Sequence, residues 1–165
     1  MNYTEDRDVW VGDLESNGFL NEATVIWCGV FINITTLEEV SLSVDSGINE
    51  RLPPLLERME AVVFHNGVAF DRPLIKKILK YNLSRDKVID SLILSKLSNP
   101  DRKVPRGWKG QHKPHSIEAW GMRFGIKKPE HEDWSRYSDH MLHRCREDVM
   151  INIKTYEAII EELRS

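Results

Sequence analysis

The sequence predicts an α/β fold built on a mixed sheet, and two patterns carry this prediction. Three β-rich runs come first, close enough along the chain to pair as a meander. Amphipathic helices then alternate with short apolar strands, an order that packs helices against a sheet containing parallel strands. Parallel strands bring their carboxyl ends to one edge of the sheet, where functional sites usually form.

The predicted meander opens with a strand over 9–15, which is apolar and ends in two acidic residues. A turn signal at 16–18 follows it. Residues 24–34 and 39–44 are two further β-rich runs, and the short segment 35–38 joins them. Three strands in meander order are therefore expected in the first quarter of the chain.

The alternating part begins with a helix over 48–59, where leucines recur at helical spacing. Pro53 and Pro54 are compatible with this helix only in its first turn. A buried strand over 61–64 leads into an amphipathic helix over 71–81.

The second half of the chain contains a short strand, a helix, a loop rich in Gly, Pro and charge, and two further helices. These segments span 88–90, 91–97, 99–114, 116–124 and 148–163. Ser116 or His115 is expected to cap the helix over 116–124, and the start of the last helix is left open. Residues 1–7 are polar and are expected to fray.

Length and composition bound the class of protein. The 165 residues are 41% hydrophobic and 30% charged, which predicts one compact domain over 1–165. With no apolar run of about 18 residues and no basic-then-apolar leader, we expect a cytoplasmic protein with no membrane partner. Cys28 and Cys145 lack metal-type spacing and are expected to be reduced thiols. A net charge of −3 argues against a generally basic nucleic-acid binder but leaves room for a local basic patch.

Asp13 and Glu15 are the first candidate site residues. Because side chains alternate along a strand, these two carboxylates project from the same face. Two like charges held this close favour a divalent cation between them. A chain with 26 acidic residues also contains about one such pair by chance, so the metal interpretation depends on further motifs.

A second motif runs from His65 to Pro73, directly after a predicted strand and into a helix. This position puts Asp71 near a helix N-terminus at the edge of the sheet, within reach of the acidic pair. A plain helix-capping role for Asp71, with Pro73 in the first turn, explains the pattern equally well.

A third motif runs from His143 to Asp148. Five residues along a helix correspond to a rotation of about 140°, so both side chains cannot share one face in mid-helix. We therefore expect His143 on the preceding loop or first turn, with Asp148 inside the helix. A solvated, charged helix start is the alternative.

Together the three segments resemble the exonuclease motifs of the DEDD superfamily of 3′–5′ exonucleases. They are Asp13-x-Glu15, His65-Asn66-x-x-x-Phe70-Asp71-x-Pro73 and His143-x-x-x-x-Asp148. Residues 89–97 and 115–123 also resemble the proofreading domain of family A DNA polymerases of short-tailed phages. The resemblance covers nearly the whole chain and implies a ribonuclease H-like fold. With no polymerase after Ser165, it implies a stand-alone exonuclease.

The third motif departs from the phage polymerase pattern. Those domains have a tyrosine four residues before the last aspartate, where this chain has Arg144. His143, five residues before it, is similar to the DnaQ-like subtype (DEDDh), in which histidine replaces the tyrosine. Neither pattern explains Arg144.

The resemblance implies a two-metal mechanism. Asp13, Glu15, Asp71 and Asp148 would hold two Mg²⁺ or Mn²⁺ ions about 4 Å apart. Neutral His143 would take the proton of the attacking water, which an imidazole can do at neutral pH. These five residues are the candidate catalytic set, and the product would be a nucleoside 5′-monophosphate.

The candidate nucleic-acid contacts form two groups. Asn66 is expected at the terminal nucleotide, as in the family it resembles, and Leu14 and Phe70 of the same motifs are included with it. The second group is a basic loop around an aromatic residue, suited to phosphates and a stacked base: Arg102, Lys103, Arg106, Trp108, Lys109 and Lys113. A solvated loop with its tryptophan packed on the body is the alternative.

The remaining histidines and tryptophans are expected to be structural. His65 is interpreted as a partner at the strand end. The other histidines outside the motifs are expected at the surface or at caps: His112, His115, His131 and His140. The other tryptophans are expected in the core or in packing contacts: Trp10, Trp27, Trp120 and Trp134.

The sequence thus predicts a metal-dependent 3′–5′ exonuclease acting on single-stranded or frayed DNA 3′ ends. A DNA polymerase acting in trans is a further expected partner, and the host cytoplasm is the expected setting if the chain is phage-encoded. Two alternatives stay open. One is an exoribonuclease of the same superfamily, because no residue reports on the 2′-hydroxyl. The other is a non-catalytic module of the same fold that tethers a protein to nucleic acid.

Overall fold

A five-stranded mixed sheet forms the centre of the molecule in the computed structural model, which describes residues 8–110, 113–127 and 130–165. Its strands are β1 Val9–Ser16, β2 Ile26–Asn33, β3 Glu39–Ser43, β4 Ala61–Phe64 and β5 Val88–Asp90. They lie in the order β3-β2-β1-β4-β5. The first three strands pair antiparallel, whereas β4 pairs parallel with both β1 and β5. The predicted meander followed by alternating helices and strands is confirmed.

Five α-helices flank this sheet within the described ranges: α1 Ile48–Arg58, α2 Asp71–Leu79, α3 Ser91–Ser98, α4 Ile117–Arg123 and α5 Asp139–Arg164. Leucines of α1 and α2 pack with Trp10 and Phe64 on one face of the sheet. On the other face, α5 packs on β1 and β2 through Cys145 and Val149. No helix in these ranges combines the length and apolar character needed to cross a bilayer. The expectations for residues 1–7 and for His112 lie outside the described residues.

Strand β1 carries a close contact directly before its acidic pair. A Cβ atom added at Gly12 would lie 2.5 Å from the ring of Phe31. That ring packs edge-on against Phe64, with 6.1 Å between the ring centroids. Glycine therefore allows the aromatic pair to lie against β1 one residue before Asp13.

Helix α5 begins nine residues earlier than its apolar stripe predicted. The Ser138 Oγ accepts a hydrogen bond from the Met141 backbone N–H and caps the helix. The buried side chains of Met141, Cys145 and Val149 extend the stripe at a spacing of four. Charged residues between them obscured this spacing in the sequence. The expectation that His143 lies on the preceding loop or in the first turn is wrong, because α5 begins at Asp139.

The two prolines of α1 lie inside the helix rather than in its first turn. They remove the N–H groups that would bond the carbonyls of Asn49 and Glu50. Both of these residues are exposed, so water can solvate the two carbonyls. The expectation of a first-turn position was therefore wrong.

Candidate active site

The acidic pair of β1 faces helix α5, together with the valines that precede it on the same face of the strand. One ligand atom from each of Asp13, Glu15 and Cys145 lies within 4.8 Å of the other two. The Cys145 thiol donates to Asp13, with Sγ 3.4 Å from the backbone oxygen and 3.5 Å from Oδ2. Burial, the Cys28 thiol and the charge of Asp13 raise the pKa of Cys145 well above its ordinary value. The thiol is therefore protonated in the metal-free protein.

Asp71 lies at the first position of α2 and does not cap it, because Phe70 occupies the N-cap. Its carboxyl is 2% exposed, and its Oδ1 atom has no hydrogen-bond partner. Burial first, and then the charge of Asp13, raise the pKa of Asp71 well above its ordinary value. A buried carboxylate oxygen without a partner, beside a second carboxylate, fits a bound cation.

Asp148 projects from α5 into the same region and lines, with Asp13, an open cavity of about 640 Å³. Asn66, Lys96 and Lys113 also line it. The cavity is within the size range of small-ligand sites, and the two lysines bring positive charge close to the acids. Sequence reasoning did not single out Lys96. Its signal is a basic residue in the last turn of α3, inside a segment that resembles the polymerase domain.

Asp90 organises the loop that carries Asn66. At the end of β5, its carboxylate accepts hydrogen bonds from the Asn66 and Val68 backbone N–H groups, at 3.0 and 3.1 Å. It also accepts from the first N–H groups of α3 as the N-cap. Asn66 itself has φ of +69°, a conformation that asparagine tolerates better than most residues. Asp90 is a positioning residue that the sequence analysis missed, although an aspartate directly before a helix is a capping signal.

His65 lies in a buried polar network beside the cavity. Its Nδ1 atom lies 2.9 Å from the Ser91 Oγ, and its Nε2 lies 2.8 Å from the His115 backbone oxygen. The Ser91 Oγ also lies 2.7 Å from the Asn152 side-chain amide. Burial lowers the pKa of His65 to about 4, so the ring is neutral and its Nε2–H donates to the carbonyl. This agrees with a structural role at the strand end.

His115 belongs to the same network and is not the surface or cap residue that the sequence predicted. It is 8% exposed, and its Nδ1 bonds the Ser95 Oγ at 2.8 Å. Trp120 donates to that Ser95 Oγ at 3.1 Å. Ser116 caps α4, because its Oγ accepts the Ala119 backbone N–H.

The other expected surface histidines and structural tryptophans lie in two settings. His131 stacks on His140, which lies in the first turn of α5, and Trp134 packs edge-on against His131. Trp10 and Trp120 are buried in the core, whereas Trp27 is half-buried and donates to the Trp134 backbone oxygen at 2.9 Å. All four tryptophans thus make packing contacts.

Arg102 departs most clearly from the expected basic loop. It is 8% exposed, its Nη2 lies 2.7 Å from the Glu162 Oε2, and its guanidinium lies over the Trp120 ring. It ties the loop to α5 and is not presented to a phosphate.

The rest of the loop divides into three groups. Lys103, Arg106 and Lys109 are exposed. Trp108 is half-buried and bounds a smaller cavity of about 330 Å³ beside α4. Of the predicted basic residues, Lys113 lines the cavity of the acidic site.

Two hydrophobic residues expected to touch nucleic acid lie in or against the core. Leu14 is 3% exposed and packs with the α1 and α2 side chains. Phe70 is partly buried against the same cluster. Alternation along β1 explains Leu14, because its neighbours Asp13 and Glu15 take the opposite face.

His143 is exposed on α5, five residues before Asp148. The 140° rotation between them puts the imidazole on a different face of the helix from the carboxylate. Arg144 lies one turn before Asp148 on nearly the same face. Its guanidinium lies 4.9 Å from the centre of the Trp134 ring.

The strand order and the helices on both faces define a ribonuclease H-like α/β fold. NrnC of Brucella melitensis shares it with a TM-score of 0.68 and 16% identity, covering 98% of this chain and 76% of that one. RNase D of Escherichia coli, an exoribonuclease involved in structured RNA processing, has a TM-score of 0.63 and 12% identity, covering 94% and 40%. At these identities the likeness concerns the fold.

In sequence, the chain is similar to a DNA-directed DNA polymerase of Escherichia phage T7. The two are 29% identical over 189 aligned residues, which cover 94% of this chain and 26% of the polymerase. The corresponding polymerase of Enterobacteria phage T3 gives the same figures. The chain therefore spans about a quarter of the length of the curated relatives it matches. No protein-family model matches the chain.

Proposed function

We propose that the protein is a metal-dependent 3′–5′ exonuclease that releases nucleoside 5′-monophosphates from single-stranded or frayed DNA. One observation carries the proposal: a cluster of carboxylates at the carboxyl edge of the sheet opens into a cavity lined by Lys96 and Lys113. The exonuclease fold supports the reaction class. The similarity to phage DNA polymerases supports DNA as the substrate.

Four carboxylates are the proposed ligands of divalent metal: Asp13, Glu15, Asp71 and Asp148. The buried Oδ1 of Asp71, which lacks a hydrogen bond, fits this assignment, as does its proximity to the charge of Asp13. When bound, Mg²⁺ or Mn²⁺ would activate a water and stabilise the departing 3′ oxygen. Structures of the fold neighbour NrnC include one with bound Mg²⁺.

The cavity residues have separate proposed roles in binding the strand. Lys96 and Lys113 would neutralise phosphates near the scissile bond, and Asn66 would contact the terminal nucleotide. Hydrogen bonds from its loop to Asp90 hold Asn66 in place before substrate arrives. Such preorganisation lowers the entropic cost of positioning the 3′ end.

The proposed proton acceptor is one of two residues of α5, Arg144 or His143. Arg144, on the face of Asp148, cannot accept a proton because its guanidinium is always protonated. We therefore keep His143 as the proposed base. Because it lies on a different face of α5 from Asp148, the first turns of α5 must rearrange when substrate binds to bring its ring to the cavity. Removing a general base costs about 10²–10⁴-fold in rate.

The experiment that tests the function uses 5′-labelled single-stranded DNA and a matched RNA, with Mg²⁺, Mn²⁺ or EDTA. We expect a ladder that shortens from the 3′ end and disappears with EDTA and in Asp13→Asn. Asp86→Asn, at an exposed aspartate that does not line the cavity, is the matched control. If neither strand is degraded with any metal, the exonuclease proposal is wrong and the non-catalytic tethering module remains.

The same assay distinguishes the base and the substrate. His143→Gln should lose about 10²–10⁴-fold in rate, whereas His140→Gln should not. Full activity of His143→Gln would eliminate it as the base. Faster loss of the RNA would favour an exoribonuclease, the activity named for RNase D among the fold neighbours.

A further inference from the structure

The thiol of Cys145 lies inside the acidic cluster, and the proposed exonuclease chemistry gives it no role. Its Sγ atom belongs with carboxylate oxygens of Asp13 and Glu15 to a group of possible ligands within 4.8 Å of one another. Mg²⁺ binds oxygen ligands and has little affinity for sulfur. A site built only for Mg²⁺ has no use for a thiol at this position.

The distance between the Cys145 sulfur and the Asp13 carboxylate fits an ion that binds sulfur as well as oxygen. Zinc binds sulfur at about 2.3 Å and carboxylate oxygen at about 2.0–2.2 Å. At a tetrahedral angle, these bond lengths put the two ligand atoms roughly 3.5–3.7 Å apart. The observed distance between the Cys145 Sγ and the Asp13 Oδ2 is 3.5 Å.

A second observation points to a bound cation beside this group of ligands. Asp71 is only 2% exposed, and its Oδ1 has no hydrogen-bond partner. Its carboxyl lies close enough to Asp13 to be affected by that charge. The ligand group therefore has close to it a buried carboxyl oxygen with no hydrogen bond.

We propose that Asp13, Glu15 and Cys145 form a mixed oxygen–sulfur site for a thiophilic divalent ion such as Zn²⁺ or Cd²⁺. Binding forms a metal–sulfur bond and releases the thiol proton to solvent. Because Asp13 is also a proposed ligand of Mg²⁺, the thiophilic ion excludes the hard ion and inhibits nuclease activity. Only this inhibition rests on the proposed function, whereas the binding itself needs no substrate.

The test is a Cd²⁺ titration of the metal-free, full-length protein, followed by ultraviolet absorption. A thiolate bound to Cd²⁺ gives a charge-transfer band that carboxylates do not give. We expect the band in the wild type and in Cys28→Ser, and its loss in Cys145→Ser. The Zn²⁺ affinity of Cys145→Ser should fall by at least the roughly 10–100-fold that loss of an outer-shell partner costs.

X-ray absorption of the Zn²⁺-loaded wild type provides a measurement that needs no variant, in case Cys145→Ser does not fold. We expect one sulfur scatterer at about 2.3 Å with oxygen scatterers beside it. No Cd²⁺ band in the wild type, a band that persists in Cys145→Ser, or a zinc shell without sulfur would overturn the proposal.

Inhibition is then measured with the nuclease assay. A protein that binds Cd²⁺ through Cys145 but degrades no strand refutes the exonuclease and leaves the metal site standing. A protein that degrades DNA but shows no sulfur ligation refutes the mixed oxygen–sulfur site and leaves the exonuclease standing.

Discussion

Two polar regions lie side by side at the carboxyl edge of the sheet, and they differ in how their polar atoms are satisfied. In the network around His65, Ser91 and His115, ring nitrogens, hydroxyls and carbonyls are hydrogen-bonded to one another. In the acidic site, carboxylates gather around Asp13, and the buried Oδ1 of Asp71 has no partner. The first region stabilises the fold. The second, if it binds cations as proposed, carries buried charge that lowers stability when they are absent, so mutations in the two regions should act with opposite signs.

Asp71→Asn should give the largest effect and the clearest contrast. Folding raises the pKa of Asp71, so the folded protein binds its proton more tightly than the unfolded chain does. The free energy of unfolding therefore falls as the pH rises and the carboxyl ionises. Removing the charge should lower exonuclease activity by about 10²–10³-fold, as loss of one charge-stabilising group does. It should also raise the melting temperature in EDTA by about 2–4 °C, or roughly 1 kcal/mol for a chain of this length.

Melting curves and initial rates of Asp71→Asn and Asp86→Asn, measured in parallel, provide the control. A lower melting temperature for Asp71→Asn in EDTA would mean that the carboxylate stabilises the fold. The contrast between the two regions would then be lost.

The pH dependence of the free energy of unfolding should report on the hydrogen-bonded network around His65. The pKa of His65 is about 4 in the folded protein, below its value of about 6.5 in the unfolded chain. The unfolded chain therefore takes up the proton first, so the stabilisation is complete above about pH 6.5 and is lost as the pH falls toward 4. The loss amounts to about 1.4 kcal/mol per pH unit and about 3 kcal/mol in total.

Urea unfolding of the wild type and His65→Gln over this pH range measures the difference. We expect the free energies of unfolding to converge as the pH falls, because glutamine does not titrate. Parallel curves would show that His65 titrates equally in both states and would contradict its burial in the network.

The smallest effect should come from the lysines that border the acidic site. Lys96→Gln and Lys113→Gln should each weaken binding of single-stranded DNA and reduce the slope of log affinity against log salt by about 0.7. Binding titrations at several salt concentrations provide the measurement. Lys109→Gln, on the exposed part of the loop, is the matched control, and an equal effect there would indicate binding outside the cavity.

The sequence predicted the fold well because its signals are local. Strands β4 and β5 begin and end where the apolar runs predicted, and the meander needed only the alternation of side chains. The start of α5 was missed because charged residues interrupt its stripe. Arg102 was misjudged for another reason: its partner Glu162 lies 60 residues away, and no local pattern reports such a contact.

The candidate site was predictable to a similar extent. The carboxylates follow from their positions near the end of β1 and in α2 and α5, because parallel strands end at one edge. Cys145 could not be found this way, since only the packing of α5 on β1 brings its sulfur to Asp13. Asp90 carried a capping signal, but its bonds to the loop of Asn66 depend on the pairing of β4 with β5.

The close contact at Gly12 has a consequence for how this chain can evolve. Even a methyl group at position 12 would collide with the Phe31 ring at 2.5 Å, and the ring is held by Phe64 behind it. Any accepted substitution there must be accompanied by a smaller side chain at one of these two positions. In a library of random variants, position 12 should therefore change only together with position 31 or 64, whereas Lys103, exposed on the loop, should accept many substitutions.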